Sequence, residues 1–470
     1  MEKSIVTSTE IKSILIRKLG NIMKKAALHN LGCKVNAYET EAMQQMLESA
    51  GYEIVEFSQP ADVYVINTCS VTNMADRKSR QMLHRAKKQN PESVVVAVGC
   101  YVQTKEEEAV ADEAIDIIIG NNKKHELVTK LDEFFRCTSM PRKGPANLSL
   151  VDHGKIDAVL DINDKNQEFE ELYLDKTAEH TRAFIKVQDG CNQFCSYCII
   201  PYARGRVRSR KLDSVLEEVH RLAENGYKEV VLTGIHLSSY GVETGESLLH
   251  LIQEIHKIDG IKRIRLGSLE PKIVTEDFAS ELSKLEKICP HFHLSLQSGC
   301  DATLQRMNRK YTTEEYETGC KILRKYFEHP AITTDVIVGF PGETEEEFAE
   351  TKAFLEHIHF YEMHIFKYSK RQGTKAAVMK DQVPENIKTA RSNQLLELDA
   401  KMSEEFRAYY LGREEEVLFE EKAEMDGENY YVGYTKEYVK VAKVSKEAID
   451  NELQKGTLKK ALNQEIYLME

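Results

Sequence analysis

No stretch of this 470-residue chain approaches the roughly 18 consecutive apolar residues that a membrane-spanning helix requires, and the N-terminus lacks the longer apolar block of a secretory signal. A cytoplasmic protein with no membrane partner is expected. Positive charge is also in short supply: 64 Lys and Arg stand against 76 Asp and Glu, a net charge of −12. This excludes a surface that is basic throughout, so any nucleic-acid contact has to be local. Ten cysteines without an export signal do not read as a disulfide framework, because the cytosol keeps thiols reduced. Metal ligation and burial in a core are the uses left. With 41% hydrophobic and 30% charged residues, the composition excludes extended disorder and a pure coiled coil.

At roughly 150 residues per domain the length predicts about three domains. Residues 1–22, which precede Met23 and an abrupt strand pattern, read as a dispensable extension. From 23 to 140 short apolar runs (26–31, 63–66, 94–98, 115–119) alternate with helical periodicity, the pattern of a doubly wound parallel sheet. Residues 141–180 are polar and read as a linker. Between 181 and 410 a second alternation has strand runs at 183–187, 229–235, 262–266, 292–296, 332–338 and 363–366, so six βα units form an incomplete (β/α)6 barrel. Residues 411–470 hold β-branched and aromatic runs between charged turns, a small all-β barrel. The fold class is α/β multidomain.

Active sites of βα barrels lie at the carboxyl ends of their strands. Directly after the first barrel strand, Cys191, Cys195 and Cys198 form C-x3-C-x2-C. Three thiolates in one loop can hold three irons of a [4Fe–4S] cluster and leave the fourth open for reaction. A structural zinc site is the alternative, but it wants four ligands and no fourth Cys or His is near. Cys33, Cys69 and Cys100 each stand at or just past a strand end of the N-terminal sheet, the edge where such sheets bind ligands. They are either a second cluster site or three buried core thiols. Cys137, Cys289, Cys300 and Cys320 match no ligand pattern and receive no role.

The barrel triad resembles that of the radical S-adenosylmethionine superfamily. That resemblance implies reductive cleavage of S-adenosylmethionine to a 5′-deoxyadenosyl radical, with cofactor contacts from Thr233, Gly234, Ser268, Glu270, Gln297 and Gly339 at successive strand ends. The usual Gly-Gly-Glu is absent after the second strand, where Thr233-Gly234 stand. Taken together, LGCKVN, NTCSVT, GCYVQ, QDGCNQFCSYCIIPYARGRVRSR, SLEP, HLSLQSGCD, MNRKYT and TDVIVGFPGE resemble the methylthiotransferases from about residue 24 to the C-terminus. The resemblance implies two [4Fe–4S] clusters, the auxiliary one on Cys33, Cys69 and Cys100, and a C-terminal RNA-binding (TRAM-like) β-barrel. It also implies two cofactor molecules per turnover, one methylating sulfur and one generating the radical that takes the hydrogen from adenine C2. No catalytic residue beyond the clusters is expected.

Within that family, LGCKVN, RGRVRSR and TGIH most resemble the enzymes acting on N6-threonylcarbamoyladenosine beside the tRNA anticodon, at position 37. Threonylcarbamoyl carries a carboxylate, which a guanidinium matches, so Arg204, Arg206 and Arg208 are candidate substrate residues, with contact to phosphate or a solvated strand face as the rival roles. Isopentenyladenosine in tRNA and a ribosomal-protein aspartate are alternative substrates. A non-catalytic iron–sulfur RNA-binding protein is an alternative of another class. The expected partners are the anticodon stem-loop and an electron donor such as flavodoxin or ferredoxin. For RNA contact, Arg77, Lys78, Arg80, Arg85, Lys87 and Lys88 form an acid-free basic run, and seven lysines between 436 and 460 are interleaved with Tyr434 and Tyr438.

Overall fold

The computed structural model describes residues 23–139, 156–159, 161–164, 167–176, 181–425 and 427–470. The expected 1–22 extension lies outside them. The N-terminal sheet contains β1 (Lys25–Asn30), β2 (Glu53–Ile54), β3 (Val63–Thr68), β4 (Val94–Gly99), β5 (Ile117–Ile119) and β6 (Ile156–Ala158). All run parallel, in the order β2-β1-β3-β4-β5-β6. Strands β3 and β4 are buried along their whole length, and unbroken Val/Ile runs suit a sheet covered on both faces. The linker expected at 141–180 needs correction within this stretch. Residues 156–158 pair with β5, and Leu172 and Leu174 bury against Tyr38 and Ala42 of the helix Lys34–Ser49. A three-residue edge strand in a polar stretch is too short to show periodicity.

The central unit has six parallel strands: β7 (Ala183–Asp189), β9 (Glu229–Gly234), β10 (Arg263–Leu266), β11 (His291–His293), β12 (Ala331–Val338) and β13 (Glu362–Lys367). The short β8 (Arg208–Ser209) lies antiparallel to the end of β7. Single bridges from Ile264 to Ile288 and from Leu269 to Leu294 carry the sheet across from β10 to β11. Among the described residues β7 and β13 do not pair, so the barrel stays open on that side. A closed barrel of β14 (Glu414–Met425), β15 (Glu428–Tyr434), β16 (Lys440–Lys443), β17 (Glu452–Ala461) and β18 (Ile466–Met469) follows the long helix Glu385–Ala408. No helix among the described residues is long and apolar enough to cross a membrane.

The helix Lys34–Ser49 packs against β7, and a buried charge network occupies that contact. Glu39 of the helix meets Lys186 of β7 at 2.7 Å, Arg204 at 2.9 Å and Lys124 at 3.2 Å, while Asp189 pairs with Lys186 at 2.6 Å and Arg204 at 3.2 Å. None of these side chains is more than 1% exposed. Burial alone would raise the Glu39 carboxyl, but Arg204, Lys124 and Lys186 outweigh it and hold the group well below the usual carboxylate range. Removing one partner from such a set leaves uncompensated buried charge, at about 3–5 kcal/mol. Glu39→Gln should therefore unfold at a clearly lower urea concentration than the parent in far-UV circular dichroism. An unchanged midpoint would show that the network does not hold the two units together.

Candidate active site

Cys33, Cys69 and Cys100 follow β1, β3 and β4, three neighbouring strands. The gap between β1 and β3 is where the strand order reverses, the crevice in which open α/β sheets bind ligands. Backbone geometry brings the thiols inward. Gly32 has φ +112°, and a side chain there would meet the Cβ and Sγ of Cys69 at 3.0 Å. Gly99 has φ +95°, and a Cβ would lie 2.6 Å from Asn67 Oδ1. The loops are tied by the Asn36 amide, which donates to the carbonyls of Leu31 and Thr68, while Asn121 Nδ2 stands 3.5 Å from Cys100 Sγ.

The second triad is held as tightly. Gly190, with φ +71°, admits the Arg206 carbonyl to 1.8 Å from where a Cβ would be. Cys191 N donates to the Gly205 carbonyl and Ser196 N to that of Met307, closing the cysteine loop against the barrel. Arg309 Nη1 stands 3.1 Å from Cys195 Sγ, and Asn308 Nδ2 donates to the Phe194 carbonyl. Burial pushes the Cys69 and Cys191 thiols up to about 11 and Cys198 up to about 12; it also raises Cys33, against the opposing charge of Arg204. Such thiols are poor nucleophiles at neutral pH and ionise only when a cation takes the place of the proton. All ten cysteines are free of disulfides.

Among the described residues, three metal-ligating side chains bring their ligand atoms within 4.8 Å of one another only at His293, Asp335 and His364. Neither cysteine triad is drawn to the spacing of a single ion, and neither has a fourth Cys. This donor chemistry suits a multi-iron cluster with one open corner better than tetrahedral zinc.

The other expected site residues divide into two groups. Glu270 lies beside the second triad: its Oε2 accepts from Gln193 Nε2 at 3.0 Å and pairs with His236 Nε2 at 3.2 Å, while Oε1, buried without a hydrogen bond among the described residues, faces Arg309 Nη2 at 3.8 Å. Ser268 is exposed and Thr233 buried, both at strand ends. Gln297 takes φ +76° and bridges β11 to β12 through its backbone, a left-handed conformation uncommon outside Gly. Gly234 is backed by Gln188. Gly339, at φ +71°, has Lys388 where a Cβ would stand, so close packing of the helix Glu385–Ala408 accounts for this glycine.

The arginines need a correction. Arg204 is fully buried, both terminal nitrogens engaged by Glu39, Asp189 and Asn36, and Arg208 is buried and donates to the carbonyls of Arg204 and Arg206. Neither has a face for substrate. Arg206 alone is exposed, lying over the Phe194 ring at 4.7 Å. Sequence spacing missed Arg309, Gln193 and His236, which meet the triad or Glu270 from other loops; the MNRKYT motif contained the signal for the first.

Comparison with known proteins matches residues 185–355 to the radical SAM superfamily and residues 25–120 to the uncharacterized protein family UPF0004. The chain is 43% identical to the threonylcarbamoyladenosine tRNA methylthiotransferase MtaB of Bacillus subtilis, over 89% of this chain and 90% of that one. It is 41% identical to the MtaB of Aquifex aeolicus (86% and 95% covered) and 37% identical to the tRNA-2-methylthio-N(6)-dimethylallyladenosine synthase of Acetivibrio thermocellus (87% and 84% covered). In fold it is similar to the radical S-adenosylmethionine methyltransferase TsrM of Kitasatospora setae, with a TM-score of 0.57 at 15% identity over 76% of this chain and 77% of that one. The chain belongs to the methylthiotransferase family of radical S-adenosylmethionine enzymes, whose cofactors are S-adenosylmethionine and two [4Fe–4S] clusters.

Two triads predict two independent clusters. Anaerobically reconstituted protein should bind about eight irons, and replacing Cys191, Cys195 and Cys198 with Ala should leave about four. Saturation of the parent at four, or loss of all iron from the folded triple variant, would contradict separate sites.

Proposed function

We propose that this chain converts N6-threonylcarbamoyladenosine at position 37 of tRNA into its 2-methylthio derivative. The observation that carries the reading is that the MtaB enzymes of Bacillus subtilis and Aquifex aeolicus, at 43% and 41% identity, stand closer in sequence than the dimethylallyladenosine synthase of Acetivibrio thermocellus at 37%, although the MtaB of Thermotoga maritima stands at 34%. When bound, one cluster supplies the electron that cleaves S-adenosylmethionine to a 5′-deoxyadenosyl radical, and the other supplies the sulfur.

The chain's own residues bind and orient. Cys191, Cys195 and Cys198 hold the radical cluster, with Arg309 setting a positive charge beside Cys195. Cys33, Cys69 and Cys100 hold the auxiliary one. Thr233, Gly234, Ser268, Glu270 and Gln297, at successive strand ends, would hold S-adenosylmethionine. A C2–H bond of adenine resists acids and bases, so no general base is assigned. On the helix Asn73–Gln89, the exposed Arg77, Lys78, Arg85 and Lys88 fall within an arc of about 100° at 3.6 residues per turn, one basic face for the anticodon stem. Arg206 meets the RNA at the rim of the cysteine loop. The lysines of the C-terminal barrel add a second RNA face, whereas Tyr434 and Tyr438 are stacked on each other under Arg182 rather than free for bases. A small ferredoxin or flavodoxin supplies electrons, in the cytoplasm.

Nucleoside mass spectrometry of tRNA from cells with and without the gene tests the reading: the 2-methylthio threonylcarbamoyl nucleoside should vanish with the gene, and its persistence would refute the assignment. The two half-reactions should also separate. Replacing Cys33, Cys69 and Cys100 with Ala should leave 5′-deoxyadenosine formation intact and abolish methylthiolation. Loss of cleavage in a variant that still holds four irons would sink that division of labour.

A further inference from the structure

Lys34 follows Cys33 directly; the residue is partly exposed, but burial around its ammonium lowers the pKa to about 8, and the group has no hydrogen-bond or ion-pair partner among the described residues. This is unusual for its surroundings. Arg182 and Arg265 lie near enough to oppose its charge, Glu229 near enough to favour it, and its own charge bears on His291 and His364. These residues come from β9, β10, β11, β13 and the approach to β7, so Lys34 projects from the N-terminal sheet into the barrel. The neighbouring cations are satisfied: Arg182 pairs with Glu420 at 2.7 Å and Arg265 with Glu229 at 2.7 Å. Among the described residues of this group, Lys34 is the cation left without a partner.

The wall it faces carries the His293, Asp335 and His364 group. His293 is spent internally, Nδ1 on Thr333 Oγ1 at 3.0 Å and Nε2 on Asp335 at 3.4 Å. His364 stacks on His293 at 5.6 Å, is exposed, and has no hydrogen bond among the described residues. A divalent cation could use this trio, but the ammonium of Lys34 and the guanidinium groups behind it repel one. An anion is attracted by the same charges and opposed by the one carboxylate of the trio, Asp335, which acts on His364 ahead of Lys34 and is itself paired with His293 at 3.4 Å. The lone ammonium and the free imidazole are both able to donate to a carboxylate.

We propose that Lys34, assisted by His364, reads the carboxylate of the threonylcarbamoyl group and so sets the choice between this substituent and an apolar isopentenyl one. The inference rests on the substrate reading above. It makes Lys34 a specificity residue at the first position of the helix that Cys33 precedes, so that recognition of the substituent and presentation of sulfur share one support.

The test uses reconstituted holoenzyme and anticodon stem-loops carrying threonylcarbamoyladenosine, its methyl ester, or isopentenyladenosine. Parent protein should bind the free acid at least about tenfold more tightly than the ester, the range of a charge-assisted hydrogen bond. Lys34→Met should erase that preference while binding the ester as the parent does, with about eight irons and unchanged cofactor cleavage. Lys34→Arg should keep most of the preference, and His364→Phe should reduce it. Equal weakening of acid and ester in Lys34→Met would mean a backbone contact and overturn the proposal, as would loss of the preference in Arg206→Gln instead. Parent enzyme that methylthiolates the isopentenyl stem-loop and not the threonylcarbamoyl one would show that the substrate reading itself had failed.

Discussion

The arrangement depends on one buried carboxylate. Glu39 stands where the N-terminal helix Lys34–Ser49, the first barrel strand and the segment after Cys198 approach together, and Lys186 of that strand, Arg204 of that segment and Lys124 of the N-terminal unit converge on it. Taking so many charges out of water costs several kcal/mol per ion, and their mutual attraction offsets it only when geometry is good and the remaining hydrogen bonds are made. Both conditions are met here, since Arg204 also donates to Asn36 and Asp189. A slip between the two units would strand at least one of these charges in a dry interior. The network thus works as a register device: it is a weak source of net stability and a strong penalty on every other docking.

That register sets the relation between the two cysteine triads. Arg204 lies in the segment after Cys198, yet its charge bears on Cys33 and Cys69, and Cys100 adds to Glu39 and Asp189 in keeping it protonated against burial. Arg309 plays the corresponding part at Cys195. Thiolates and iron–sulfur clusters gather negative charge, and cluster behaviour follows net charge and hydrogen bonds to sulfur. A cation fixed beside each triad offsets this without occupying a coordination position. Arg204, which spacing suggested as a substrate ligand, instead places its charge near the N-terminal cysteine triad.

How much of this was legible in the sequence follows from what each signal measures. The parallel strands could be read because burial on both faces produces unbroken Val/Ile runs, and the triads because strand ends of a parallel sheet share one edge. The spacing of 36 and 31 residues between Cys33, Cys69 and Cys100 is that of strand–helix–strand units. What spacing does not carry is the partner of a charge. Arg204 and Arg206 look alike in RGRVRSR, but one meets Glu39, 165 residues away, and the other lies on Phe194. Tyr434 and Tyr438 suggested a stacking platform for the same reason; their rings are taken up by each other, by Arg182 and by His291. The edge strand 156–158 escaped because pairing to an existing edge asks little of three residues.

The C-terminal barrel is attached by the same chemistry, and that bears on how RNA can be recognised. Arg263 donates to the carbonyls of Tyr434 and Glu416, and Arg265 to that of Lys436, while both guanidinium groups remain tied to Glu229 on β9. Swinging this module away would expose two arginines and a carboxylate that are buried together, and would leave the Glu229 pair without its backbone partners. A joint of this kind resists hinge motion, in contrast to a loose linker with a small polar interface. The basic face of the helix Asn73–Gln89 and the lysines of the C-terminal barrel are then fixed relative to the open side of the central barrel. Selection among RNAs falls to the fit of a preformed surface and to the few unpaired groups inside it, because the remaining charges in the lumen are already committed to one another.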